Sequence, residues 1–221
     1  MEPYEENTHR DTSNCDKNKA DKQHSLHDSI LSDWYNQSMI KLNAKQLRTM
    51  DVNPEIARSI KKNPITIICD NVLDTYNVGS IFRLADAIAA QKVYLCGATL
   101  TPPNSRIKKA SINTTGWVDW EYSETAMEAI TKLRTEHADI QIVAVEQDKR
   151  SKPFYQVTYG VPLAIVVGHE TTGVSPEVLD TADMIVEMPM WGVNTSLNVM
   201  VSCGIILYEI MKQHTQSLSR E

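Results

Sequence analysis

The sequence predicts an α/β protein with a mostly parallel sheet flanked by helices. Five short apolar runs, at 65–69, 93–96, 140–145, 163–167 and 185–188, alternate with helical stretches along the chain. Continuous apolar strands alternating with helices are the pattern of a parallel sheet covered on both faces. Three turns rich in glycine, asparagine and serine also follow apolar runs, at 77–83, 168–175 and 189–199. In open α/β sheets ligands bind outside the carboxyl ends of the strands, so three such turns point to one composite site.

Residues 1–27 mix Asp, Glu, Lys, Asn and Ser with almost no apolar residue, and are expected to form a disordered polar tail. Residues 28–63 read as a helical extension. Ile30, Leu31, Trp34 and Tyr35 share a helical face there, and Asn53 precedes Pro54 as cap and first turn. Residues 64–213 form the main domain, with helices expected at 78–90, 125–136 and 176–182. Ser175 is the expected cap of the last of these, with Pro176 at its first position. A final helix is expected from 197 to 212. It is apolar on nearly every side, so it must be buried in the core or against a second subunit. Residues 214–221 are left as a C-terminal tail.

Composition excludes several classes. No apolar stretch approaches the roughly 18 residues that span a membrane, and the polar start is unlike a secretory signal. Cys15, Cys69, Cys96 and Cys203 form no Cys-x-x-Cys pair. Three lie in apolar segments as expected buried, reduced thiols, which suits the cytoplasm. A net charge of −6 argues against a protein that grips nucleic acid over its whole surface. Local patches stay open, because salt confines charge effects to about 10 Å: Arg106, Lys108 and Lys109, then Lys149, Arg150 and Lys152, and the pair Lys61 and Lys62, are the candidates for nucleic-acid contact.

The turns carry the chemistry. Gly168 and Gly173 have the spacing of a phosphate-binding loop, but Val174 stands where its lysine belongs. No Gly-x-Gly-x-x-Gly is present, and the scattered histidines offer no metal-ligand spacing. Gly168 lets backbone approach a ligand closely, with Glu170 at the rim of that turn. Ser196 is a natural helix cap. Asn198, placed inside an apolar helix, must find partners or cost about 1–3 kcal/mol. Arg83 is the cation nearest the expected crevice.

At these turns the sequence resembles the SpoU/TrmH family of RNA ribose methyltransferases, a branch of the SPOUT superfamily. Its three patterns occur in order: Asn77, Gly79 and Arg83; Gly168, Glu170 and Gly173; then Pro189, Met190 and Gly192 followed by Ser196, Leu197, Asn198 and Val199. The resemblance covers about residues 64–212, with Ala89 standing where a glycine is expected.

The resemblance implies a deep C-terminal trefoil knot, which sequence rules would not reach because chains are expected to be unknotted. It also implies a homodimer and S-adenosylmethionine as cofactor. Gly168, Met188 and Leu197 would hold the cofactor, with Val145, Glu146 and Gln147 nearby and Gly173 and Gly192 in the same turns. Arg83, Asn77, Glu170, Ser196 and Asn198 would be the catalytic set, with Arg83 acting beside the other subunit's cofactor. The implied reaction methylates a ribose 2′-hydroxyl of tRNA or rRNA. A guanidinium stays protonated in proteins, so Arg83 is read as holding a phosphate and the developing alkoxide. A knotted enzyme that methylates a base, and a non-catalytic RNA-binding or cofactor-sensing protein, are the alternatives.

Overall fold

The computed structural model describes Gln46, Glu55 and residues 59–219. The expected tail at 1–27 lies outside these residues. Of the expected helical extension, Gln46, Glu55 and Ser59 are described as helical. The chain divides into two compact units, and the larger, Leu42–Thr215, carries the sheet.

The sheet has seven strands: β1 (Asn63–Asp70), β2 (Ala90–Cys96), β3 (Trp120–Ser123), β4 (Gln141–Val145), β5 (Lys152–Pro153), β6 (Leu163–Val167) and β7 (Met184–Glu187). Their order is β3-β2-β1-β6-β4-β7-β5, and every pairing is parallel. β1 and β6 are buried along almost their whole length, as continuous apolar strands in a doubly covered sheet must be. Alternate side chains go to opposite faces. Ile65, Ile67 and Cys69 of β1 join one core with Val78, Phe82, Cys203 and Ile206, while Ile68 joins a second with Ile130 and Val178. The order of strands reverses between β1 and β6, where Cys69 pairs with Val167. A crevice at such a switch point is where ligands bind in sheets of this kind.

Within residues 60–219, five α-helices flank the sheet: α1 (Thr75–Ala87), α2 (Ser105–Ser111), α3 (Ala126–Glu136), α4 (Pro176–Thr181) and α5 (Val199–Leu218). α1 lies three residues earlier than the expected 78–90. Asp74 caps it by accepting the Tyr76 N–H at 2.8 Å. Ala89 stops it with a φ of 49°, and Ala90 already belongs to β2. That left-handed φ is the conformation that favours glycine, which is why the missing glycine matters at this position. α1 packs tightly on α2 at Gly79, where a Cβ would stand 2.6 Å from Ala110 Cβ and 2.7 Å from the Ile107 carbonyl oxygen.

Three elements escaped the sequence reading. α2 is short and mostly polar, burying only Ile107 and Ser111. β3 is an edge strand without an apolar run, and β5 has only two residues. The final helix also differs. It begins at Val199 rather than 197 and continues through Leu218 rather than stopping at 212. Only one side is buried, through Ser202, Cys203, Ile206, Leu207 and Ile210. Val201, Ile205 and Tyr208 are exposed in the single chain.

Cys69, Cys96 and Cys203 are free and buried. Burial pushes the Cys96 and Cys203 thiols up to about 12, and that of Cys69 well above its usual value. Among the described residues no helix is long and apolar enough to cross a membrane.

Candidate active site

Three turns converge outside the carboxyl ends of β1, β6 and β7, and hydrogen bonds between their side chains close them together. The Glu170 carboxylate accepts from three donors: Leu73 N–H at 3.1 Å, Asp74 N–H at 3.0 Å and Asn77 Nδ2 at 2.9 Å. Asn77 Oδ1 accepts from Asn198 Nδ2 at 2.9 Å. Asn198 Oδ1 in turn accepts the Met200 N–H at 2.9 Å and the Val201 N–H at 3.4 Å. One relay therefore runs from the first turn of α5 through two amides to the carboxylate. Burial raises the pKa of Glu170, but the bonds from Asn77, Asp74 and Leu73 outweigh it and hold the carboxyl below its usual range.

This relay corrects two expectations. Asn198 is the cap of α5 rather than an amide within it. Ser196 is not the cap: its N–H and hydroxyl both donate to Asn194 Oδ1, at 3.0 and 3.1 Å.

The turn after β6 is a tight loop. His169 and Gly173 exchange backbone bonds of 3.0 and 2.9 Å, and His169 Nδ1 accepts the N–H groups of Thr171 and Thr172. Gly173 takes a left-handed φ of 73°. A Cβ at Gly168 would overlap the backbone of Gly173 and Val174, and one at Gly173 would overlap the Glu146 carboxylate. Neither position accepts a side chain without moving the loop. Glu146 also accepts the Val174 N–H at 2.9 Å. Ser175 precedes α4 as expected, but its side chain makes no capping bond. Instead its N–H and hydroxyl both donate to the buried Asp70, at 2.8 and 2.6 Å.

These loops enclose a cleft of about 480 Å³. Its lining includes Val145, Glu146, Gln147, Gly168, Gly173, Met188 and Leu197 from the expected cofactor set, together with Glu170, Ser196 and Asn198. Gln147 Nε2 donates across it to the Thr195 carbonyl. Gly192 does not line it and stands in open space. Walls of Val145, Val167, Met188 and Leu197 with polar turns above them suit a nucleoside-sized ligand, since pockets for such ligands run to about 300–1,000 Å³. Sequence reasoning missed Asp70 and His169 here. A carboxylate ending an apolar strand, as Asp70 does, was the available signal for the first.

Arg83 stands apart. It lies six residues beyond Asn77 on α1, about 9 Å along the helix axis, and does not line the cleft. It is exposed and makes no hydrogen bond or ion pair among the described residues. Of the expected RNA-contacting cations, Arg106, Lys108, Lys109 and Lys149 are exposed. Arg150 is engaged with Asp148 and Asp180, each at 2.8 Å, and these bonds raise its pKa.

Residues 64–208 match the SpoU rRNA Methylase family, and the chain belongs to that family. It is 36% identical over 160 residues to the tRNA (guanosine(18)-2′-O)-methyltransferase of Aquifex aeolicus, covering 71% of this chain and 72% of that protein. A 23S rRNA (guanosine-2′-O-)-methyltransferase of Haemophilus influenzae is 29% identical over 174 residues, covering 79% and 69%. Among solved structures, the A. aeolicus TrmH/SpoU tRNA modifying enzyme superposes with a TM-score of 0.66 at 30% identity, over 80% of this chain and 84% of that one. An AdoMet-bound rRNA methyltransferase from Sinorhizobium meliloti gives 0.63 at 26%, over 75% and 59%.

Proposed function

We propose that this chain is an S-adenosylmethionine-dependent enzyme that methylates a ribose 2′-hydroxyl of tRNA or rRNA. The observation that carries this reading is the relay from Asn198 through Asn77 to Glu170, which ties the family's three turns around one cleft. S-adenosylmethionine supplies an electrophilic methyl on a sulfonium. Gly168 and Gly173 would offer it backbone at close range, and Met188, Leu197 and Val145 would form the wall for its apolar parts. Holding acceptor and donor in register supplies roughly 7–11 kcal/mol of a transfer barrier, and the relay is the framework that keeps the turns in register.

The chain works as a homodimer in this reading. Arg83 is exposed and off its own cleft, and the Val201, Ile205 and Tyr208 side of α5 is uncovered in one chain. A second copy seated on that side brings its Arg83 to the cofactor cleft. Arg83 binds the phosphate beside the target nucleotide and the alkoxide that develops on the 2′-oxygen, and the proton leaves through a phosphate oxygen or water. Gly168, Ser196 and the return of the chain into α5 belong to a C-terminal knot, and the setting is cytoplasmic.

The test is transfer of labelled methyl from S-adenosylmethionine to total cellular RNA, followed by digestion to nucleosides. Label on the sugar with the wild type, and none with Arg83→Ala despite retained cofactor binding, is the expected result. Label on a base, or normal turnover by Arg83→Ala, contradicts it.

A further inference from the structure

We propose that the rim at the carboxyl ends of β1, β2 and β3 is a platform on which unpaired nucleotides of the RNA substrate stack, with cations of α2 holding their phosphates. The inference rests on the enzyme reading above and names the surface through which that site takes its substrate.

Four large side chains on this rim, Leu73, Tyr76, Leu100 and Tyr122, are between 46% and 52% exposed. They follow the ends of β1 and β2 or sit near the end of β3, and these strands are neighbours in the sheet. The segments that carry them are tied together. Asn71 accepts the Ala98 N–H through Oδ1 at 3.0 Å and donates its own N–H to the Cys96 carbonyl. The Tyr122 hydroxyl donates to the Gly97 carbonyl at 3.3 Å. That bond fixes one aromatic ring at the edge of the rim while leaving about half its surface open. The platform is continuous with the active site, because Leu73 and Asp74 each donate a backbone N–H to Glu170.

Exposed apolar side chains carried by three neighbouring strand ends suit a surface that a partner covers, and the neighbouring charges identify the partner. α2 begins where the segment after β2 ends, and it presents Arg106, Lys108 and Lys109 to solvent. None of the three forms an ion pair among the described residues. In a chain of net charge −6, three unpaired cations beside an aromatic rim are a local complement to phosphate and nucleobase together. A duplex does not fit this surface, since A-form RNA hides its base faces. Unpaired bases stack on aromatic side chains, and cations follow the backbone.

The test measures binding of a short unstructured RNA, and of a blunt RNA duplex of equal length, to the full chain. Tyr76→Ala and Tyr122→Ala should each weaken binding of the unstructured RNA roughly 5- to 150-fold, the factor one stacked base is worth. Tyr76→Phe and Tyr122→Phe should retain wild-type binding. Replacing Arg106, Lys108 and Lys109 together by alanine should reduce the salt dependence by a slope of about 2. The platform is overturned if the alanine variants bind like the wild type, or if duplex RNA binds as well and suffers equally. It is also overturned if binding falls only together with dimer mass, which would assign the rim to the contact between copies. Wild-type protein that transfers methyl normally, with unimpaired tyrosine variants, removes the platform alone. Wild-type protein that transfers no methyl to any RNA removes the enzyme reading itself.

Discussion

Asn198 makes two kinds of bond at once, one to the first turn of its own helix and one to the Asn77 amide 121 positions away. Alanine there removes a helix cap and orphans Asn77 Oδ1, so it should cost about 1–2 kcal/mol of stability in urea denaturation. Methyl transfer should fall further than cofactor affinity, because the loss uncouples the first turn from the third. Glu170 gives a pH signature. Its folded pKa lies below the ordinary value, so the stabilisation is present above about pH 4.3 and is lost as pH falls through the lower folded value. The melting temperature of the wild type should therefore drop more steeply on acidification than that of Glu170→Gln. Equal slopes would show that the carboxylate charge contributes nothing to holding the turns. The residue types of this relay were legible in the sequence, but their partners were not. Asn198 was placed inside a helix and Ser196 at its cap, because serine is as good a cap as asparagine and only the fold shows which side chain turns toward Asn77.

At the scale of elements, the five central strands were legible because each is a continuous apolar run, and a doubly covered parallel sheet permits little else. The missed pieces lack that signal. β3 sits at the sheet edge with a half-polar sequence, and α2 is too short to show a helical period. The α1 boundary was misplaced because its stop is a backbone event at Ala89, not a change of polarity. Ala89→Gly should relieve a left-handed alanine and raise stability by about 1 kcal/mol, read as a shift in the urea midpoint with unchanged slope. A loss of stability would mean that the turn gains more from restricting the unfolded chain than it loses at this φ.

At the scale of the whole molecule, the single chain holds the cleft proposed for the cofactor and an Arg83 that does not line it. The same chain leaves one side of α5 uncovered. Spacing along one chain carries no signal for residues that would meet only across two copies, so the pairing of Arg83 with a second copy's cleft came to the sequence only through the family resemblance. Activity is accordingly proposed to be a property of the pair. Each active site draws its cleft from one copy and its cation from the other, so two different defects placed in different copies leave one intact site per mixed dimer.

The most direct measurement of that claim mixes two inactive variants, Arg83→Ala and Gly168→Ala, and assays methyl transfer to RNA. The second variant places a Cβ against the backbone of Gly173 and Val174 and so blocks the cofactor loop. Activity that is absent from either variant alone and appears on mixing, with label on the ribose, is the result the account predicts. Two variants that remain inactive together, while forming mixed dimers of normal mass, would contradict it and return the whole site to a single chain.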